Sequence, residues 1–191
     1  MFRKVMVLSI AGLGLMTISA PANAAISVLN GSLANSCYQA AEYGGIAAEG
    51  IRLCTLALEE TALLPRDRAA TLINLGIVRS RNDDPDGALD CYNRGLAIDP
   101  SLGEGYVDRG ATQIVLKNFK AAVADITKGL SLNANKPEIA YYDRAIANEA
   151  LGNIRDAYID YKKAVELSPD FALATEQLSR FKVVRKPTNG A

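Results

Sequence analysis

Histidine is absent from all 191 residues, and tryptophan is absent too. Without His the chain lacks the commonest general base, the Ser-His and Cys-His nucleophile pairs and the usual zinc ligand. A catalyst would have to rest on carboxylates, Lys or Tyr, and the sequence reads as a non-enzyme with no cofactor. An excess of charge of either sign is also missing, with 21 Lys and Arg against 21 Asp and Glu. A nucleic-acid binder needs a basic face, so that class is set aside. Long apolar runs are confined to the N-terminus, from Val5 to about Ala20. That run is shorter than the ~20 residues a membrane-spanning helix needs, so no stable membrane anchor is expected.

The same run has the form of a secretory leader. Arg3 and Lys4 supply the charged start, and Pro21-Ala22-Asn23-Ala24 offers a small-residue cleavage site ending at Ala24. Residues 1–24 are therefore expected to be a signal peptide. No Cys follows the cut, which argues against an acylated lipoprotein, and the short leader points to a bacterial periplasm, with secretion as the second choice. Its removal takes two cations and leaves a net charge of −2 on 167 residues, enough for one domain with a sizeable core.

Three cysteines, Cys37, Cys54 and Cys91, belong to this exported setting, where disulfides persist. Cys37 and Cys54 stand at similar distances from Gly44-Gly45, so an antiparallel helical hairpin would bring them together. Cys91 falls inside a repeat and is expected to be a buried thiol. The alternative is three reduced core cysteines.

The repeat is the strongest feature. Gly76, Gly110 and Ala145 are spaced by 34 and 35 residues. At common offsets stand Leu72, Tyr106 and Tyr141; Ala88, Ala122 and Ala157; Tyr92, Ile126 and Tyr161; Gly95, Gly129 and Ala164; and Pro100, Ala134 and Pro169. Small residues suit the places where paired helices touch, and the large apolar ones fill the space between them. Pro100 and Pro169 end one unit and begin the next. Each unit reads as helix, turn, helix, and such units bury their apolar faces only by stacking. Leu75, Arg109 and Arg144 stand just before the small column, and Cys91, Asp125 and Asp160 fifteen residues after it. Arg always accompanies Asp and Leu accompanies Cys, which predicts structural ion pairs Arg109–Asp125 and Arg144–Asp160 with an apolar substitute in the first unit.

The stretches YVDRGATQIVLKNFKAAVADITKGLSL and AYYDRAIANEALGNIRDAYIDYKKAVELSP, with the weaker LINLGIVRSRNDDPDGALDCYNRGLAIDP, resemble the tetratricopeptide repeat. The likeness covers about Ala69 to Phe171. It departs at Ala134, where the family has Pro, and by one extra residue in that linker. The resemblance implies an all-α, right-handed superhelical solenoid. Its units are expected at about 69–102, 103–136 and 138–171 within 65–171. Before them, 25–64 reads as an irregular lead-in to about Ala34 and a degenerate helical hairpin over Ser36–Leu64. After them, 172–191 reads as a capping helix to about Val184, with Leu178 and Phe181 buried, and a mobile tail.

Asn82-Asp83-Asp84-Pro85-Asp86-Gly87 superficially resembles a calcium loop. The closing Glu is missing, Asn93 standing there, and Pro85 interrupts it, so it reads as a turn. Asn30-Gly31-Ser32 fits a glycosylation pattern that a periplasmic protein would not use.

By the resemblance, function lies in a concave groove that binds a peptide or a segment of a partner protein. The groove positions it implies are Ile73, Asn74, Ile77, Arg81, Val107, Asp108, Ala111, Ile114, Tyr142, Asp143, Ile146 and Glu149. The basic clamp some relatives use on a terminal carboxylate has no match here, since Ile73, Ile77, Asp108, Ile139 and Asp143 occupy its positions. An open apolar strip (Ile73, Ile77, Val107, Tyr142, Ile146) bordered by Asp108, Asp143 and Glu149 is expected instead, suited to a segment with apolar anchors and a Lys or Arg. Homo-oligomerisation as part of an envelope assembly is the alternative function.

Overall fold

The computed structural model describes residues 4–8, 32–59 and 63–185. Helices α1 (Ser32–Tyr43) and α2 (Ala47–Glu59) form the N-terminal hairpin. Three helix pairs follow: α3 (Pro65–Arg81) with α4 (Pro85–Ile98), α5 (Gly103–Val115) with α6 (Phe119–Ser131), and α7 (Pro137–Ala150) with α8 (Ile154–Leu167). A short α9 (Ala172–Ser179) closes the helical array. Each helix packs on the next in chain order, and α1 packs on α3 as well.

Each unit is held by a small residue facing a large one. A Cβ on Gly76 would lie 2.5 Å from the Tyr92 ring, and one on Gly110 would lie 2.6 Å from Ile126. In the third unit Ala145 shares a buried cluster with Tyr161. A second such contact sits nearer the helix ends, where a Cβ on Gly129 would meet Val107 at 2.6 Å. The side chains of Tyr92, Ile126 and Tyr161 are fully buried there, and removing one would leave a cavity costing about 2–5 kcal/mol.

The turns share a device that the residue types conceal. Asp83, Lys117 and Gly152 all have positive φ, at 57°, 61° and 77°. In each unit the next residue's N–H then donates to a carbonyl five residues back: Asp84 to Arg79, Asn118 to Gln113, Asn153 to Asn148. This is the left-handed cap that ends many helices. Asp84 also caps α4 by accepting from the Gly87 N–H at 3.0 Å, with Pro85 at the first helical position. The calcium-like stretch is thus a turn and a cap.

Several boundaries differ from the sequence expectation. The lead-in ends earlier, because α1 already begins at Ser32, and α3 begins at Pro65 rather than near Ala69. The capping helix stops at Ser179, and Phe181–Arg185 forms strand β2 instead of continuing to Val184. Successive β-branched valines there favour extended backbone. Leu178 and Phe181 do pack against the α7–α8 pair, beside Tyr158 and Tyr161. Within the expected leader, Lys4–Leu8 forms strand β1, antiparallel to β2. The cleavage site at Ala24, the sequon Asn30–Ser32 apart from its last residue, and the tail 186–191 lie outside the described residues. No described helix is long and apolar enough to cross a membrane.

Candidate partner-binding surface

The first helices α3, α5 and α7 form a row. Their positions expected to be open are mostly core. Ile73 and Ile77 are wholly buried, and Val107 is 9% exposed. The reason is geometric. Ile73 reaches toward Gly95 on α4 and Gly105 on α5, and Val107 toward Gly129 on α6. These glycines leave room that the branched side chains fill, so this column faces the second helix and the following unit. Tyr142 in the same column stacks with Tyr161 and Phe171, at centroid distances of 5.7 and 5.1 Å. Asn74, Ala111 and Ile114 are buried, and Ile146 is half-buried between two core clusters. The open apolar strip is therefore replaced by packed interior.

The acidic border is also withdrawn. Asp108 and Asp143 are 3% and 4% exposed, and Oδ2 of each finds no hydrogen-bond partner among the described residues. Burial pushes Asp108 well above the usual carboxylate range, helped by Glu104 and Asp143 and opposed by Arg81 and Lys136. Burial alone raises Asp143 to about 7. Glu149 accepts from Arg180 at 2.6 Å and from the Tyr161 hydroxyl at 3.1 Å, which ties α7 to the end of α9. Burial and Glu149 together raise the Tyr161 hydroxyl pKa. None of these carboxylates is presented to solvent as a steering charge for a Lys or Arg.

Two cations meet solvent along the row. Arg81, at the end of α3, is exposed, and its Nη1 donates to the Ala41 carbonyl in the last turn of α1. Lys136, which caps the start of α7, pairs with Glu42 of α1 at 3.6 Å. Both cations act on Asp108, so the end of α1, the end of α3 and the start of α7 converge beside the middle of α5. Sequence periodicity gives no sign of this, because Glu42 and Lys136 belong to no repeat column.

The disulfide joins Cys37 to Cys54 and fastens α1 to α2, while Cys91 is free and buried. On the opposite side of each first helix Arg109 grips Asp125 through two bonds of 2.7 Å and reaches Asn93 on the preceding unit. Arg144 grips Asp160 at 2.9 and 2.8 Å and reaches Thr127. Tyr106 and Tyr141 lie against these guanidiniums, each 5.3 Å from ring centre to Cζ. In the first unit Leu75 and Cys91 take the equivalent places within the core.

Residues 139–171 match the sequence profile of the tetratricopeptide repeat. This chain carries tetratricopeptide repeats. RNA polymerase II-associated protein 3 of Mus musculus is 34% identical over 95 residues, which is 50% of this chain and 14% of that protein. The chain thus matches only a small part of the length of such relatives. Among solved structures, the first repeat domain of Spaghetti (RPAP3) bound to the HSP90 peptide SRMEEVD is 30% identical, covering 59% of this chain and 88% of that one, with a TM-score of 0.56. MamA from Desulfovibrio magneticus RS-1 covers 78% of this chain and 82% of its own, with a TM-score of 0.64. Its 18% identity speaks to the fold alone. Tetratricopeptide repeats of this kind are protein-interaction modules.

Proposed function

We propose that this chain is an exported, periplasmic adaptor that binds a segment of a partner protein along the row formed by α3, α5 and α7. The observation that carries the reading is the related Spaghetti domain, which holds a peptide and is 30% identical over 59% of this chain. Along the row Asp108 and Asp143 are buried and Glu149 is tied to Arg180. The leader-like N-terminus and the Cys37–Cys54 bridge fit an oxidising compartment.

Two measurements test this. A photocrosslinking residue is placed at Arg81, on the row, or at Lys162, on α8. A partner captured from Arg81 and not from Lys162 supports the reading; equal capture from both sites, or none from Arg81, defeats it. For the compartment, cell fractionation with intact mass should give a periplasmic chain beginning at Ala25. A cytoplasmic chain retaining residues 1–24 would overturn export.

A further inference from the structure

The last turn of α1 is placed like a bound segment. Its Ala41 carbonyl takes the Arg81 guanidinium, and its Glu42 carboxylate takes Lys136, a residue on the far side of α5. The conformation of Lys136 supports a built contact. Its φ of 53° lies in the left-handed region, which costs a residue with a Cβ roughly 1 kcal/mol or more. It sits in the α6–α7 linker, the one that carries an extra residue and lacks the expected Pro. The left-handed residue begins α7 there and sets Lys136 where it meets α1. Immediately after this turn of α1 stand Gly44 and Gly45, with φ of 78° and 126°, and a Cβ at either would touch nothing within 4 Å. The turn therefore ends on an unpacked, permissive hinge, while Ala34, Cys37 and Ala41 along one face of the helix are fully buried.

We propose that Arg81 and Lys136 form a docking surface for the acidic end of a helical segment, and that the last turn of α1 is its resident occupant. The partner this surface fits brings what α1 brings: a carboxylate for Lys136 and a helix-end carbonyl or carboxylate for Arg81. Binding then displaces the Glu42 side chain and frays α1 beyond the buried Ala41, toward Gly44–Gly45, while the disulfide and the buried face of the helix hold the rest in place. This rests on the binding reading above only for the identity of the competitor; the resident contact is a property of the chain alone.

The test uses the full chain and three variants, Glu42→Lys, Lys136→Glu and the double swap. Hydrogen exchange read by mass spectrometry should be several-fold faster over residues 38–43 in either single variant, and close to the parent rate in the swap. Unchanged exchange in Glu42→Lys, or a swap that restores nothing, would overturn the resident contact. The partner chemistry is probed with a labelled synthetic copy of residues 36–43 carrying Ser for Cys37. It should bind the Glu42→Lys chain at least five-fold more tightly than the parent, and lose that gain when Lys136→Glu is added. Equal binding to all of them, or none, refutes the acidic specificity. These readouts need no cellular partner. A partner captured at Arg81 but indifferent to Glu42→Lys would sink this inference and leave the adaptor reading intact.

Discussion

Gly76 and Tyr92 are in such close contact that any Cβ on Gly76 would lie 2.5 Å from the ring. The third unit accepts Ala145 opposite Tyr161, so a helix pair of this type can open to admit a methyl. In the first unit, α3 would have to move between α2 and α5, which pack on it from either side. Gly76→Ala should destabilise by about 1–2 kcal/mol, at the lower end of overpacking costs. It should do so although Ala favours a helix over Gly by about 1 kcal/mol. Urea denaturation measures it, and an unchanged or raised midpoint would show that the contact relaxes freely.

Arg144 and Asp160 are 20% and 5% exposed at their side chains. Removing one partner strands the other, so Arg144→Ala should cost about 3–5 kcal/mol. Asp125 is more exposed, at 13%, and Arg109→Ala should cost less. A double-mutant cycle at each pair gives the coupling, and zero coupling at both would reduce the pairs to a coincidence of packing.

Asp143 carries a pH signature. Its carboxyl titrates near 7 in the folded chain and near 3.9 when unfolded. Between those values the folded state holds a proton that the unfolded state has released, so stability falls as pH rises from about 4 to about 7. At about 1.4 kcal/mol per pH unit, the loss is of order 4 kcal/mol above pH 7. Asn74 occupies the same column and is fully buried, which makes Asp143→Asn a mild change. That variant should gain a few kcal/mol at pH 8 and almost nothing at pH 4. Equal gains at both pH values would contradict the buried, unpartnered state.

The cysteines predict a thiol count. The native chain should show no reactive thiol, because Cys91 is buried and burial raises its pKa. Denaturation without reductant should reveal one thiol, and with reductant three. Replacing Cys37 and Cys54 by Ser should cost roughly 3 kcal/mol, as expected for so short a loop in the chain-entropy model. The loss should fall on the α1–α2 hairpin first, read as faster exchange there than in α5–α8.

The array was legible because its contacts repeat. Gly76, Gly110 and Ala145 face large partners at a fixed offset, and Arg109 and Arg144 announce Asp125 and Asp160 by covariation between units. The surface was not legible, because one column faces two ways. Ile73, Val107 and Tyr142 lie on the first helices, yet glycines on the neighbouring helices decide that they turn inward. Glu149 looked free until Arg180 and Tyr161, in other elements, claimed it. Turn residues Asp83, Lys117 and Gly152 share one backbone conformation without sharing a side-chain type. Lys136 and Glu42 met through an insertion, which periodicity treats as an error in spacing.

Each guanidinium of the Arg109 and Arg144 ladder touches three helices. Arg109 spans α4, α5 and α6, and Arg144 spans α6, α7 and α8. Helix α6 belongs to both spans, so the second and third units cannot separate without breaking a charged contact at their shared member. The first unit is tied to the second in the same way, through Arg109 and Asn93 of α4. In an array whose stability comes from nearest-neighbour terms, such rivets make the three units melt as one block. Leu75 stands where the first unit would need its own guanidinium, so the seam between α2 and α3 lacks this rivet and is where the molecule would unzip.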